Sequence, residues 1–212
     1  MPEILKISDK NSEEAILTRA AEIVSQGGII AYPTETFYGL GADATNEKAI
    51  QNIFSVKGRD FKNPISLIIG HKDDIYPLVQ NVPEVAQKLM ALFWPGALTI
   101  VFSASDNVSP MLTAGSGKIG LRVSSHPGAQ GIVKKLKRPL TATSANLSGA
   151  PECVSASDVA LQIGDIIDAM LDLGNTAGTK GSTIIDVTTT PPVILREGAI
   201  SRKNIGKYTE VI

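Results

Sequence analysis

The sequence predicts a single α/β domain over residues 1–212, in which helices flank a twisted, mixed β-sheet. Segments with a helical spacing of apolar residues alternate along the chain with short runs typical of buried strands. A chain of 212 residues with 43% hydrophobic and 19% charged residues is long enough for one sizeable core. No repeat, long polar linker or low-complexity tract divides it, so we expect one domain.

The N-terminal elements are an amphipathic helix and a buried strand. After Ser12, apolar residues recur at helical spacing, two glutamates occupy the first turn, and Gly27 and Gly28 end the pattern. Residues 29–32 then predict a short buried strand that Pro33 ends. The loop that follows, residues 34–36, is polar and lies at the carboxyl end of the strand. This loop is the first candidate for a functional site.

The same alternation continues to the C-terminus. A second helix begins near Asn46 and ends at Gly58, which suits a left-handed cap. In the predicted strand 119–123, every second residue is apolar and shares one face, so Arg122 must point to the other face. The other predicted elements are strands at 65–69, 98–102, 140–142, 183–187 and 193–195, and helices after Pro83, from Pro127 and from a Ser157 cap, the last carrying Leu161, Ile163, Ile166 and Met170.

Composition and charge exclude several classes of protein. The formal net charge of −1 argues against a generally polycationic nucleic-acid-binding protein. Cys153 is the only cysteine, so no intrachain disulfide forms, and neither histidine has the spacing of a metal site. The chain shows no signal-peptide pattern, and no apolar run approaches the roughly 20 residues of a membrane span. We therefore expect a cytoplasmic protein without a membrane segment.

Cationic and polar side chains gather just beyond the predicted strand and helix ends, where α/β proteins commonly bind ligands. In Lys57-Gly58-Arg59, a glycine between two cations lets the backbone approach an anion such as phosphate. Neither a P-loop nor a Gly-x-Gly-x-x-Gly run is present, so side-chain cations and scattered amides would hold a nucleotide. The gathered residues are Lys57, Arg59, Arg122, Ser144, Asn146, Ser182 and Arg196.

Each of these features also has an ordinary structural interpretation. A single lysine or arginine is more often a solvated surface charge than a ligand contact. Capping of the next turn is the simpler role for Ser144 and Asn146, and turn or cap roles suit His71 and His126. Helix-dipole and solvation effects explain the basic run at 134–138, for which RNA contact is the alternative. Only convergence of the residues in space would favour a ligand site.

Long stretches of the sequence resemble one known family. Residues 28–41, which include Tyr32-Pro33-Thr34-Glu35-Thr36 and Tyr38-Gly39-Leu40-Gly41, resemble the opening signature of YrdC-type threonylcarbamoyl-AMP synthases, and this signature is long and specific. The resemblance covers nearly the whole chain in order, through Lys57-Gly58-Arg59, Asn63-Pro64, Trp94-Pro95-Gly96, Thr113-Ala114-Gly115, Leu121-Arg122-Val123, Ser144-Ala145-Asn146-Leu147-Ser148-Gly149, Ser182-Thr183-Ile184-Ile185-Asp186 and Arg196-Glu197-Gly198.

The resemblance implies a YrdC-like fold with a large, concave, electropositive cavity that holds both substrates. It implies synthesis of L-threonylcarbamoyl-AMP and pyrophosphate from L-threonine, bicarbonate or CO2, and ATP, for the N6-threonylcarbamoyladenosine (t6A37) modification of tRNA. ATP would be a substrate, accompanied by Mg²⁺, and no protein metal site is expected. The implied partners are the downstream tRNA threonylcarbamoyl-transfer proteins, with direct contact to tRNA or double-stranded RNA as a further expectation.

The resemblance also assigns residues to the two substrates. Lys57 and Arg59 would be catalytic, because they would neutralise charge that builds on the phosphates. Arg122 would pair with the threonine carboxylate. The implied ATP-site residues are Lys57, Arg59, Asn63, Thr113, Ser144, Asn146 and Arg196, and the implied threonine-site residues are Thr34, Thr36, Arg122 and Ser182.

Three positions depart from the family pattern, and two other functions stay open. Many relatives carry a histidine associated with threonine recognition where this chain has Ile68, and Asp60 and Ser66 also differ. The chain ends at Ile212, which predicts the short, single-domain form.

The first alternative function is that of a paralogue that acts on another carbamoyl compound, related to the YrdC-like module of hydrogenase-maturation carbamoyltransferases. The second is a double-stranded-RNA-binding or ribosome-associated module that uses the cavity and the basic run.

Overall fold

The described residues, 1–8, 12–58 and 63–212, form alternating strands and helices in this computed structural model. Three strands were not predicted from the sequence. The strand at residues 3–6 has a single buried residue, Leu5, and the strand at 38–41 alternates large residues with glycines. The strand at 169–172 includes Met170, which was predicted to lie in a helix. The strands are β1 (Glu3–Lys6), β2 (Ile30–Pro33), β3 (Tyr38–Gly41), β4 (Ser66–Ile68), β5 (Leu98–Ser103), β6 (Lys118–Arg122), β7 (Leu140–Ser144), β8 (Ala169–Asp172), β9 (Thr183–Asp186) and β10 (Val193–Arg196).

These strands form one sheet in the order β1-β8-β2-β3-β7-β4-β6-β5-β9-β10. The pairs β1–β8, β2–β8, β4–β6 and β5–β9 are parallel. The pairs β2–β3, β3–β7, β4–β7, β5–β6 and β9–β10 are antiparallel. The predicted α/β fold with a mixed sheet is therefore confirmed.

Local capping signals set most helix ends. The first helix begins after Ser12, as predicted, and the Ser12 side chain accepts a hydrogen bond from Ala15 N. Gly58 ends the second helix in the predicted left-handed conformation, with φ 56°. No helix within the described ranges is both long and apolar enough to cross a membrane. The helices are α1 (Glu13–Ser25), α2 (Glu47–Lys57), α3 (Glu84–Phe93), α4 (Pro110–Thr113), α5 (Pro127–Leu136), α6 (Ala156–Ile163) and α7 (Arg202–Ile205).

The prediction for α6 is wrong at both ends. Ser155, not Ser157, caps the helix, and its hydroxyl and the Asp158 carboxylate form a capping box. The helix stops at Ile163, so Met170 lies in the parallel strand β8 instead. The apolar spacing fitted a helix because Met170 is buried in a core either way. A short buried strand cannot be distinguished from a buried helical segment by the spacing of apolar residues alone.

The two faces of the sheet bury different cores. On one face, Leu40, Leu67 and Leu121 pack with α2, α3, α4 and α6. On the other face, Ile30 and Leu140 pack with α1 and α5. These last two helices lie mainly over β1, β2 and β8. They do not cover the same face of β5, β6 and β9, and a pocket can therefore form there.

Candidate functional site

A pocket opens on the sheet face beyond α1 and α5. It encloses about 820 Å³ including its open mouth. Small and polar residues of the central strands, Ser66, Thr99 and Ala142, form its floor. At Gly39 a Cβ atom would lie 2.9 Å from Cζ of the Tyr32 ring, so glycine is needed for the ring to lie flat against β3. The floor is thus made of rigid strand backbone with few bulky side chains.

The pocket brings together six of the predicted site residues. Three described residues, Lys57, Asn146 and Thr113, are buried but do not line it. Asn63 is exposed and precedes Pro64, which does line it. Arg59 and Asp60 lie outside the described residues. The six predicted residues in the lining are Thr34, Thr36, Arg122, Ser144, Ser182 and Arg196.

The polar loop between β2 and β3 fixes two of these hydroxyls. Thr34 Oγ1 donates to Phe37 O at 2.7 Å and accepts from Thr36 N at 3.1 Å. Because its one proton is used on Phe37, the 3.0 Å contact between the two hydroxyls has Thr36 as donor. Thr34 is therefore saturated, whereas Thr36 Oγ1 keeps lone pairs that can accept a hydrogen bond from a ligand.

Arg122 lies at the end of β6, on the pocket face that the alternation of that strand predicts. It is 7% exposed, and Nη1 lies 3.4 Å from Oε1 of Glu35. Within the described residues its guanidinium makes this ion contact but no hydrogen bond. A buried guanidinium with open donors in a pocket is suited to binding a carboxylate or phosphate.

Ser182, just before β9, is hydrogen-bonded to Arg196 at the end of β10. Arg196 Nε and Nη2 donate to Ser182 O at 3.1 and 2.8 Å, and Nη2 also reaches Ser182 Oγ at 3.2 Å. The Ser182 hydroxyl lies 2.9 Å from Thr99 Oγ1 on β5. Burial lowers the pKa of Arg196, nearby Glu152 opposes that shift, and Arg122 adds to it. The two arginines therefore share one pocket and repel each other, which favours an anionic ligand there.

Gly198 explains the third residue of the Arg196-Glu197-Gly198 signature. A Cβ atom there would lie 2.1 Å from Gly181 O and 2.6 Å from Ser182 C, and both are backbone atoms that no rotamer change can move. We expect Gly198→Ala to lower the free energy of unfolding by about 1–3 kcal/mol and to separate Arg196 from Ser182. Urea denaturation measures this cost.

Gly164→Ala is the matched control for that experiment, because its nearest neighbour would be Ala160 Cβ at 3.6 Å and its φ of −54° suits alanine. We expect the control to change stability by less than about 0.5 kcal/mol. Equal denaturation midpoints for the two variants would contradict the close approach at Gly198.

Lys57 holds the loop that follows β7. Its ammonium donates to Ser144 O at 2.5 Å, to Asn146 O at 2.9 Å and to Asn146 Oδ1 at 3.1 Å. Asn146 in turn donates from Nδ2 to Ala150 O, and Ser144 Oγ donates to Asn146 Oδ1, both at 2.6 Å. Lys57 thus fixes this loop from behind, and Ser144 carries the loop into the pocket lining.

Two other predicted features lie outside the lining. The Thr113 hydroxyl donates to Pro110 O at 3.0 Å within α4. Ile68 is fully buried, stands beside Arg122 in the β4–β6 register, and packs in the core under α1 and α5. An isoleucine at position 68 therefore contributes packing next to Arg122 and offers the pocket no polar group.

The histidines have the cap roles that the sequence suggested. His71 Nδ1 accepts from Asp73 N, and His126 Nδ1 accepts from Gly128 N at the start of α5. Burial lowers the pKa of His126, an effect that Glu35 and Glu13 oppose. Both imidazoles therefore have a structural explanation.

The basic run lies away from the pocket lining. Lys135 pairs with Glu14, and Arg138 pairs with buried Asp43. Lys134 and Lys137 border a separate depression near Trp94. The basic run at 134–138 is therefore not part of the pocket.

Within the described ranges, no group of three His, Cys, Asp or Glu residues could hold a metal ion. The polar groups of the pocket lining are mainly hydroxyls and guanidinium groups, with the carboxylate of Glu152 beside them.

Four residues in and around the pocket were assigned no site role from the sequence, although one of them, Glu35, lies in the loop 34–36 that was the first site candidate. Tyr32 and Thr99 line it, and Glu35 and Ser124 lie behind Arg122. Glu35 stands between two predicted site residues, and Ser124 follows Arg122 by two positions. Their side-chain contacts join segments about 90 residues apart, so only the fold brings them together.

Comparison with known proteins gives consistent matches. The Sua5/YciO/YrdC family model, described as "Telomere recombination", matches residues 22–198. The threonylcarbamoyl-AMP synthase of Pyrococcus abyssi is 38% identical over 92% of this chain, and that of Bacillus subtilis is 37% identical over 89%. The crystal structure of P. abyssi Sua5 complexed with L-threonine superposes with a TM-score of 0.93 at 35% identity, covering the whole of this chain.

The chain spans only part of these relatives. It covers 57% of the P. abyssi enzyme, 55% of the B. subtilis enzyme and 62% of the P. abyssi Sua5 structure. The family model nevertheless matches 177 positions, from 22 to 198, of the 212 in this sequence. The pocket-bearing sheet lies mostly within that match, and the chain belongs to the Sua5/YciO/YrdC family.

Proposed function

We propose that this protein forms L-threonylcarbamoyl-AMP and pyrophosphate from L-threonine, bicarbonate or CO2, and ATP, for t6A37 modification of tRNA. The observation that carries the proposal is the pocket itself. It places the open guanidinium of Arg122 among the hydroxyls of Thr34, Thr36 and Ser182. A hydroxy amino acid complements this set. Relatives named for this activity, and a related structure complexed with L-threonine, support it.

In this proposal Arg122 receives the threonine carboxylate through charge-assisted hydrogen bonds. Thr36 accepts from the ammonium or hydroxyl of threonine, and Ser182, just before β9, offers a second hydroxyl. Thr34 acts mainly by holding Thr36, because its own hydroxyl is saturated by Phe37 and the Thr36 amide. The amino acid is thereby oriented over the strand floor before the reaction begins.

The nucleotide is assigned to a second set of residues in and beside the same pocket. Ser144 and Arg196 line it, and Lys57 fixes the loop that carries Ser144. Arg59, Asn63, Thr113 and Asn146 complete the proposed ATP site. Lys57 and Arg59 would place positive charge near the α-phosphate, where negative charge grows in the transition state.

The reaction needs positioning more than a dedicated nucleophile. The threonine nitrogen forms a bond to the carbon of CO2 and loses a proton, which gives a carbamate. A carbamate oxygen then attacks the α-phosphorus, and the bond to the leaving pyrophosphate breaks. Holding the two reactants together and stabilising phosphate charge can supply most of the acceleration. Mg²⁺ would accompany ATP and reduce the charge on the phosphate oxygens.

We further propose that residues 1–212 act as one cytoplasmic domain, since one sheet extends from β1 to β10. The adenylate product is a labile mixed anhydride. It would be passed to the tRNA threonylcarbamoyl-transfer proteins as soon as it forms. Direct contact with tRNA is part of the same proposal.

The second candidate is a paralogue that acts on another carbamoyl compound. Ile68 favours it, because this apolar residue stands beside Arg122 where many relatives carry a histidine. The RNA-binding alternative has less support, since Lys135 and Arg138 are engaged in ion pairs away from the pocket.

The deciding experiment measures pyrophosphate release by the purified protein with ATP, Mg²⁺ and bicarbonate, with and without L-threonine. L-Serine is the control for the amino acid. We expect release to depend on threonine and the product to have the mass of threonylcarbamoyl-AMP. Pyrophosphate release that is the same with and without threonine would favour the paralogue. Salt-sensitive RNA binding without any nucleotide turnover would favour the RNA-binding module.

A further inference from the structure

We propose that Glu35 is a positioning residue, which holds the Arg122 guanidinium in the orientation that receives the substrate carboxylate. This inference rests on the proposed function and deepens it. The polar loop between β2 and β3 then contributes more than the hydroxyls of Thr34 and Thr36. Glu35, which lies between them, orients the guanidinium of Arg122.

The carboxylate of Glu35 is fixed on one oxygen and open on the other. Ser124 Oγ donates a short hydrogen bond to Oε2. Ser124 is fully buried and also accepts from His126 N at 3.2 Å, so its own position is fixed by the start of α5. Within the described residues, Oε1 is buried without a hydrogen bond and lies 3.4 Å from Arg122 Nη1.

This geometry gives Arg122 a counter-charge without consuming its donors. An ion contact at 3.4 Å that lacks hydrogen-bond geometry attracts the guanidinium, yet leaves its N–H groups directed elsewhere. A bidentate pair with Glu35 would instead compete with the substrate for the same donors. Burial raises the pKa of Tyr32, an effect that Arg122 opposes and Glu35 adds to.

The surroundings make Glu35 hard to replace by another residue. A buried guanidinium without a nearby carboxylate would be costly, and an amide at position 35 would offer a dipole in place of the charge. Ser124 donates to the Glu35 carboxylate and is itself held by the His126 amide. Within the described part of the chain, the orientation of Arg122 therefore depends on the Glu35 carboxylate, which no substrate atom needs to touch.

Glu35→Gln tests the inference through two ligands, L-threonine and L-threoninamide. The amide keeps the ammonium and hydroxyl groups but lacks the carboxylate. We expect the wild type to prefer threonine, and the variant to bind threonine roughly tenfold more weakly while its affinity for the amide changes less than about twofold. Calorimetric titration of each ligand measures both affinities, and ATP affinity is expected to stay unchanged.

Asp43→Asn is the matched control. Asp43 is a buried carboxylate paired with Arg138, and it accepts from Thr45 N at 2.9 Å, but it does not line the pocket. This control should lose stability and keep the wild-type preference for threonine over the amide. Ser124→Ala provides a milder change that keeps the carboxylate, and we expect it to weaken threonine binding severalfold even if Glu35→Gln fails to fold.

The outcomes separate this inference from the proposed function. A wild type that shows no threonine-dependent pyrophosphate release would contradict the function. A wild type that does show release and prefers threonine, together with Glu35→Gln and Ser124→Ala variants that keep the same preference, would overturn the positioning role alone. Loss of the preference in Asp43→Asn as well would show a general stability effect and would also overturn it.

Discussion

Replacing Arg122 with lysine is expected to raise the KM for L-threonine about 10- to 100-fold while the KM for ATP changes by less than about threefold. Lysine keeps the positive charge beside Glu35, so the buried carboxylate stays compensated. It cannot present two parallel N–H groups to one carboxylate. One lost hydrogen bond to a charged group costs about 1.5–3 kcal/mol, which gives this range. Steady-state pyrophosphate release with each substrate varied measures the two constants.

The comparison with L-threoninamide makes this prediction specific. The lysine variant should lose affinity for threonine and little affinity for the amide, because only the carboxylate uses the guanidinium fork. An equal loss for both ligands, or a large rise in the KM for ATP, would show that Arg122 serves the pocket in another way. A melting temperature close to the wild type would exclude misfolding as the cause.

Lys57→Met is expected to reduce both stability and activity, which separates it from a residue that only contacts phosphate. The variant leaves Ser144 O, Asn146 O and Asn146 Oδ1 without their shared donor in a buried position. We expect the free energy of unfolding to fall by about 2–4 kcal/mol. The melting temperature should fall by roughly 5–15 °C, and pyrophosphate release by about 100-fold or more.

Lys48→Met on the same helix is the control, because Lys48 is exposed and distant from the β7 loop. Its stability should change by less than about 0.5 kcal/mol and its activity should be normal. Thermal unfolding followed by circular dichroism and the pyrophosphate assay measure both quantities. If Lys57→Met melts with the wild type and loses only activity, the main role of Lys57 is contact with the nucleotide.

Local sequence signals predicted the parts of the fold that local physics controls. Ser12 and Gly58 mark helix ends for local reasons. The serine hydroxyl accepts a hydrogen bond from a backbone amide of the first turn, and glycine tolerates a positive φ. The alternation around Arg122 predicted its face because strand side chains alternate by geometry. These features need no knowledge of distant residues.

Other features depend on contacts that no local pattern contains. The strand β3 carries Gly39 and Gly41, which weaken a strand prediction, yet both glycines make room for the Tyr32 ring across the hairpin. Met170 fitted a helical stripe but belongs to a parallel strand beside β1 and β2. Glu35 resembled one more polar loop residue, and its importance arises from β6 and Ser124, which are distant in sequence.

The hydrogen bonds from Arg196 to the backbone and hydroxyl of Ser182 have a thermodynamic consequence. One residue belongs to the proposed nucleotide side and the other to the proposed amino-acid side. A nucleotide that draws the guanidinium away releases Ser182 to reorient, and an amino acid that engages Ser182 alters the hold on Arg196. The two substrates would then bind with heterotropic coupling, and linkage requires that each changes the affinity of the other by the same factor.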